Sequence, residues 1–439
     1  MEIISLRLHN NKYVNDLIDQ EDVEDINAVY PVMGGFTLLH IAAFINHQRL
    51  VVDLLRQKAD VNLKSRYWGT ALHIAIIMEN LVIIESLINY GADVNTQLIA
   101  DSGLIHFRYG DWQNDEEVPE FLSKGENVVS KMLKTYDFCF GKSPLQIAVD
   151  RGNEKMVELL LENNADPNLN TYNFETPLVC AINKGNLSII KLLLAYGADV
   201  NSVTGYSEES ALHIAVHSGN REAVELILNH SMVDVNIVTV FNQSALHYAF
   251  IAPDDNIIRQ LLDAGVDINI KNKKCQTAFA SRLIYSQKVK DTIAEHIAKL
   301  SAADFNVGKQ NLAVVDISSE KFCELRDRCL SEIGEMKKTF IGTSNVTFYN
   351  VLCNKCEHKL ALSLKHVSDS TILNFNIQSL FPLYGGMITY RLRKALGRKK
   401  LLSNAISLTD DIFDAVQLPN TFTRGILKLL TNRDLEKLQ

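Results

Sequence analysis

A chain of 439 residues is too long for one compact core and long enough for about two or three domains. Its 47% apolar and 22% charged residues fit a folded protein. No run of about 18 apolar residues suits a membrane span, and Met1-Glu2-Ile3-Ile4-Ser5 lacks the basic start of a signal peptide. The net charge of -8 divides into -13 over residues 1–300 and +5 over 301–439, so the acidic front argues against nucleic-acid binding there.

Residues 1–30 read as an N-terminal cap, a helix over 3–19 supplying Ile4, Leu6, Leu8, Val14, Leu17 and Ile18. One phrase then recurs. It begins as Thr37-Leu38-Leu39-His40-Ile41-Ala42 and Thr70-Ala71-Leu72-His73-Ile74-Ala75. It returns at Ser143, Thr176, Ser210 and Ser244 and fades at Thr277, with successive starts 33, 73, 33, 34, 34 and 33 residues apart. A second phrase follows each, as in VIIESLINYGADVN from Val82 to Asn95. Thr or Ser at the start can cap a helix, and Pro144 and Pro177 stand at the first helical position, where no donor is lost. Gly91 and Gly197 suit a left-handed helix end. Two short helices per period, each with a narrow apolar stripe, can bury their faces only by stacking.

These phrases resemble the ankyrin repeat over about residues 30 to 300. The resemblance implies an all-α ankyrin-repeat solenoid with hairpin fingers, about seven repeats in 31–300 and a protein target as partner. In that family the His of the phrase bonds to Thr and to neighbouring backbone; His40, His73, His213 and His247 hold the position. The spacing of 73 exceeds the common 33 by 40. Residues 125–133 resemble the start of a second helix, so a degraded repeat is expected near 110–140. An insertion within Thr96–Glu117 precedes it, carrying Phe107, Tyr109 and Trp112 beside Asp111, Asp115, Glu116 and Glu117. It is either part of a binding side or a solvated loop packing its own rings. Finger tips fall two to four residues before each capping Thr or Ser. They hold Tyr67, Trp68, Tyr172, Phe174, Tyr206 and Phe241. These rings are either a target surface or packing between fingers. Residues 277–300 close the stack with Ile284, Val289, Ile293, Ile297 and Leu300.

Residues 301–439 lack the repeat. Helical spacing marks 318–339 (Phe322, Leu325, Cys329, Ile333, Met336), 348–364 and 386–405, a small α-helical domain. Its end, 415–439, places Ile426-Leu427 seven residues after Leu418-Pro419, then Leu430 and Asp434-Leu435. That spacing matches the first part of an F-box. A truncated F-box ending a repeat protein, over about 305–439, resembles the PRANC family of poxviruses and parasitoid wasps. The resemblance implies that Leu418, Pro419, Ile426, Leu427, Leu430, Asp434 and Leu435 dock on the F-box linker subunit of a cullin-RING ubiquitin ligase. One departure is Thr421, where F-boxes usually carry an acid.

Other signals count for less. Cys353, Cys356 and His358 lack the second Cys pair that a structural zinc commonly uses. Arg391, Arg393, Lys394, Arg398, Lys399 and Lys400 read as a solvated helix face opposite Leu392, Leu396 and Leu401, ahead of a nuclear-import or nucleic-acid signal. No nucleophile, base and orienting acid occur as a set, so the expectation is a non-enzyme without cofactor, membrane or metal. Seven scattered cysteines fit a reduced cytoplasmic or nuclear setting. The functional expectation is an adaptor that brings its target to the ligase; the rival is a scaffold or sequestering inhibitor.

Overall fold

The computed structural model describes residues 25–29, 35–65, 68–97, 141–171, 174–251, 253–280, 286–354 and 356–414, with side chains of the last helix as far as Asn404. The expected cap over 3–19 and the segment 415–439 lie outside the described residues. Contacts divide the chain into two units that meet in sequence at Asp199 and Val200.

The first unit holds four described helix pairs. These are α1 (Leu38–Phe44) with α2 (Gln48–Arg56), α3 (Ala71–Ile77) with α4 (Leu81–Asn89), α5 (Pro144–Arg151) with α6 (Glu154–Glu162), and α7 (Pro177–Lys184) with α8 (Leu187–Ala195). The hydroxyls of Thr37, Ser143 and Thr176 accept the N–H three residues on, which starts α1, α5 and α7. The second helices start at side chains the repeat phrase did not reveal: His47, Asn80, Asn153 and Asn186 each accept in the same way. Ala42, Ala75, Ala148 and Ala181 are fully buried, and their lack of bulk lets adjacent first helices close on each other.

An asparagine ladder ties one pair to the next. Asn62 donates to Gly91 O (3.1 Å) and accepts from Asp93 N–H (2.8 Å). Asn95 repeats the motif with Asn164 O (3.1 Å) and Asp166 N–H (2.7 Å), and α3 packs directly on α5. The ladder passes from Asn95 to Asp166 in one step. The degraded repeat expected near 110–140 lies outside the described residues. The insertion aromatics, Phe107, Tyr109 and Trp112, lie outside the described residues.

The second unit opens with a hairpin, β1 (Val203–Thr204) antiparallel to β2 (Glu209–Ser210). Then come α9 (Ala211–His217), α10 (Arg221–Asn229), α11 (Ala245–Ala249), α12 (Asp255–Asp263), a 3-10 turn at Ala278–Ala280 and α13 (Gln287–Ala302). Its ladder ends on Asn269, which accepts from Gly308 N–H (2.7 Å). Buried Asn311, on α14 (Lys309–Leu312), accepts from the Thr277 hydroxyl (2.6 Å) and donates to Ile268 O (2.9 Å). The repeat architecture therefore runs past the expected limit at 300.

α15 (Glu320–Lys338) buries Phe322, Cys329, Ile333 and Met336 and packs on α13, as the spacing over 318–339 predicts. α16 (Phe348–Cys353), α17 (Glu357–Ser363), α18 (Asp369–Leu373) and α19 (Ile377–Leu380) follow. α20 (Gly385–Asp414) packs on α16, α17, α19 and repeat helix α12. Tyr384 locks this corner: its O–H donates to Lys299 O (2.8 Å), and its N–H donates to Glu332 Oε1 (2.9 Å). Among the described residues no helix is long and apolar enough to cross a membrane.

Candidate protein-binding fingers

Four fingers are held from beneath by a side chain on the first helix of the preceding repeat. Thr37 N–H donates to His40 Nδ1 (3.2 Å), so that nitrogen is a bare acceptor; the proton sits on Nε2 and goes to Gly69 O (3.0 Å). His213 and His247 reach Gln243 O and Gln276 O in the same way (3.0 and 3.2 Å). Gln146 takes the place of His in its repeat and donates to Glu175 O (3.0 Å). Burial lowers the pKa of His40 and of His73 to about 4 and lowers those of His213 and His247, so the rings stay neutral. His40, His213 and His247 are struts of the fingers, as the family resemblance implies.

The fingers are also closed internally. Thr171 N–H donates to Glu175 O and Thr239 N–H to Gln243 O (2.9 and 3.0 Å). In the second unit neighbouring fingers bond to each other: Val240 N–H donates to Ser207 O, and Lys273 N–H to Phe241 O, both at 3.0 Å.

The six aromatics divide. Tyr67 and Tyr172 lie outside the described residues. Trp68 requires a correction: it is only 7% exposed, so its ring faces the fold, and its backbone N–H donates to Ser65 Oγ (3.0 Å) within a tight turn. Phe174, in the first unit, is 57% exposed and holds a left-handed φ of 60°, which a side chain with a Cβ adopts at a cost. In the second unit Tyr206 is 93% exposed and Phe241 is 53% exposed. The ligase-docking residues Leu418, Pro419, Ile426, Leu427, Leu430, Asp434 and Leu435 lie outside the described residues.

The basic run is a second correction. It is a docking face, with Arg393 and Lys400 its exposed members. Arg391 donates to Asn354 O (2.9 Å), Lys399 to Val367 O (2.7 Å), and buried Lys394 to Val233 O, with Glu357 at 3.8 Å; Arg393 donates to Asn229 Oδ1. Gly386 and Gly397 bring α20 against Asp263 and Ser231, where an added Cβ would overlap both. Lys394 thus satisfies a repeat-turn carbonyl that close approach shuts off from water, while Arg391 and Lys399 satisfy carbonyls of the C-terminal helices. Cys353 is half-buried at the end of α16 and Cys356 is exposed at the start of α17.

Sequence reasoning missed three lysines on the finger after Phe241: Lys271, Lys273 and Lys274, all exposed. Their clustering in KNKKC, between a ladder Asn and Thr277, was the available signal.

Residues 3–97, 113–204 and 202–272 match the family model for ankyrin repeats, in three copies. The chain is 31% identical over 136 residues to the L-asparaginase of Dirofilaria immitis, covering 30% of this chain and 22% of that protein. It is 27% identical over 150 residues to a putative ankyrin repeat protein of Borreliella burgdorferi, covering 34% and 63%. The chain thus spans less than two thirds of either curated relative. Among solved structures it is similar to the ankyrin repeat domain of Bcl-3, with 23% identity and a TM-score of 0.46 over 59% of this chain and 98% of that one.

Proposed function

The chain belongs to the ankyrin-repeat family, whose fold is typically a non-catalytic interaction module, and from that premise we propose that it captures a partner protein on its fingers. The observation that carries this reading is the exposure of Phe174, Tyr206 and Phe241 on hydrogen-bonded frames. A rigid frame has already given up its conformational entropy, so less is lost on binding, and aromatics are enriched among residues that dominate interface energy. Proximity labelling with the chain, and with a variant carrying alanine at all three positions, tests it. The labelled proteins should change; an identical set from both would remove the reading.

The finer reading is that 415–439 docks on the linker subunit of a cullin-RING ubiquitin ligase, in the cytoplasm or nucleus. Then the chain raises the local concentration of its target at the ligase. The 418–435 spacing supports it, and so does its place just after α20, which is seated on the repeats. Pull-down of the linker subunit should succeed with the chain and fail with Leu418→Ala/Pro419→Ala; capture that survives deletion of 415–439 would sink it. Thr421, in place of the usual acid, favours a second reading, sequestration without recruitment. Target abundance separates the two: it falls under recruitment and holds under sequestration.

A further inference from the structure

We propose that the fingers at 203–210, 238–244 and 271–277 form one graded strip for an extended peptide segment whose apolar side chains are followed by acidic ones. The proposal rests on the capture reading above and adds the partner's chemistry.

The strip is continuous, because Val240 N–H to Ser207 O and Lys273 N–H to Phe241 O join each finger to the next. Its first two tips are apolar, Tyr206 and Phe241. Its third is cationic. Asn272 Oδ1 accepts from Lys274 N–H (2.9 Å) and Gln276 N–H (3.1 Å), and Cys275 takes a left-handed φ of 58°, which fixes the turn that carries Lys271, Lys273 and Lys274. These three ammonium groups make no ion pair among the described residues, although residues 1–300 carry a net charge of -13.

The acids sit at the other end. Glu208 is exposed on the first finger, and Glu209 accepts the O–H of Tyr248 (2.5 Å). The middle finger, Val238 to Ser244, carries no charge. Charge therefore runs from negative through neutral to positive along the strip, which sets the direction of a bound segment: its acids lie on the lysine finger. Packed helices sit about 10 Å apart, so three fingers span roughly 20 Å, about six residues of extended chain. A nucleic-acid strand fits poorly, because its phosphates would also meet Glu208.

The test is fluorescence anisotropy on the full chain with a labelled peptide of about ten residues, Leu and Phe in one half and Asp and Glu in the other. Controls are its Lys-for-acid counterpart, poly-glutamate and single-stranded DNA. The apolar–acidic peptide should bind at least about tenfold tighter than any control. Lys271→Glu/Lys273→Glu/Lys274→Glu and, separately, Phe241→Ala should each weaken it about tenfold, with the circular-dichroism melt unchanged. Equal affinity for DNA, or for the triple variant, would overturn the proposal. If the triple variant still captures the partners that alanine at Phe174, Tyr206 and Phe241 loses, the capture reading stands and this one fails.

Discussion

Replacing His40 and His73 by Gln should flatten the acid sensitivity of the first unit. Both rings are held neutral, with pKa values lowered from 6.5 to about 4 by burial. Between those limits the unfolded chain binds a proton that the folded chain refuses, so stability is full above pH ~6.5 and falls with pH until the folded ring protonates near 4. The slope is about 1.4 kcal/mol per pH unit for each ring, which gives about 3 kcal/mol per ring across the window. The geometry supplies the reason. Protonating Nδ1 of His40 sets a proton against the N–H of Thr37, 3.2 Å away. Gln146 shows that the position has a non-titrating solution: its Oε1 accepts Ser143 N–H (2.8 Å) and its Nε2 donates to Leu169 O (2.7 Å). At neutral pH the double variant should therefore lie within about 1.5 kcal/mol of the parent. Urea melts followed by circular dichroism from pH ~7.5 to ~4.5 should show a steep decline in the parent and a shallow one in His40→Gln/His73→Gln. Parallel declines would refute the reasoning.

Two further substitutions test the docked helix and the strained finger. Gly397→Ala drives a Cβ into Ser231 Cβ and should cost the second unit about 1–3 kcal/mol, read as faster amide exchange along α20; unchanged protection would mean the helix is not seated there. Phe174→Gly relieves a left-handed backbone and should raise stability by about 1 kcal/mol in a melt while weakening partner capture; a lowered melting temperature would show the ring to be packed.

The repeat was legible because its period repeats chemistry as well as hydrophobicity: Thr37, His40 and Ala42 recur as Thr70, His73 and Ala75. The ladder was equally periodic, in Asn62, Asn95, Asn168 and Asn201, but an Asn in a turn has many local uses, so its reach to the next repeat became visible only in three dimensions. Trp68 could not be assigned to surface or packing from sequence, because position in a finger does not say which way a ring turns. Gly69 follows it with a left-handed φ of 69°. The basic run was misread because composition cannot distinguish cations facing water from cations facing carbonyls: Lys394 ends on Val233 O, far from it in sequence. The glycines that permit this approach, Gly386 and Gly397, were the overlooked signal, since a solvated helix has no need of them.

The direct step from Asn95 to Asp166 leads to a deletion. Removing residues 99–138 takes out 40 residues and returns the interval from Thr70 to Ser143 to 33. Contacts among the described residues already join the two layers: Asn95 to Asn164 and Asp166, Gln97 to Asn170, and Arg151 to Glu79 at 3.8 Å. A solenoid owes its stability to each layer and its neighbours, so the joined chain should keep the stack. Shortening the connection also lowers the cost of closing it, by about 2 kcal/mol on a loop-entropy estimate. The variant should thus melt in urea at the same concentration as the parent or a higher one. A lower midpoint would mean that residues 99–138 add buried surface to the layers on either side, and that the ladder alone does not hold those layers together.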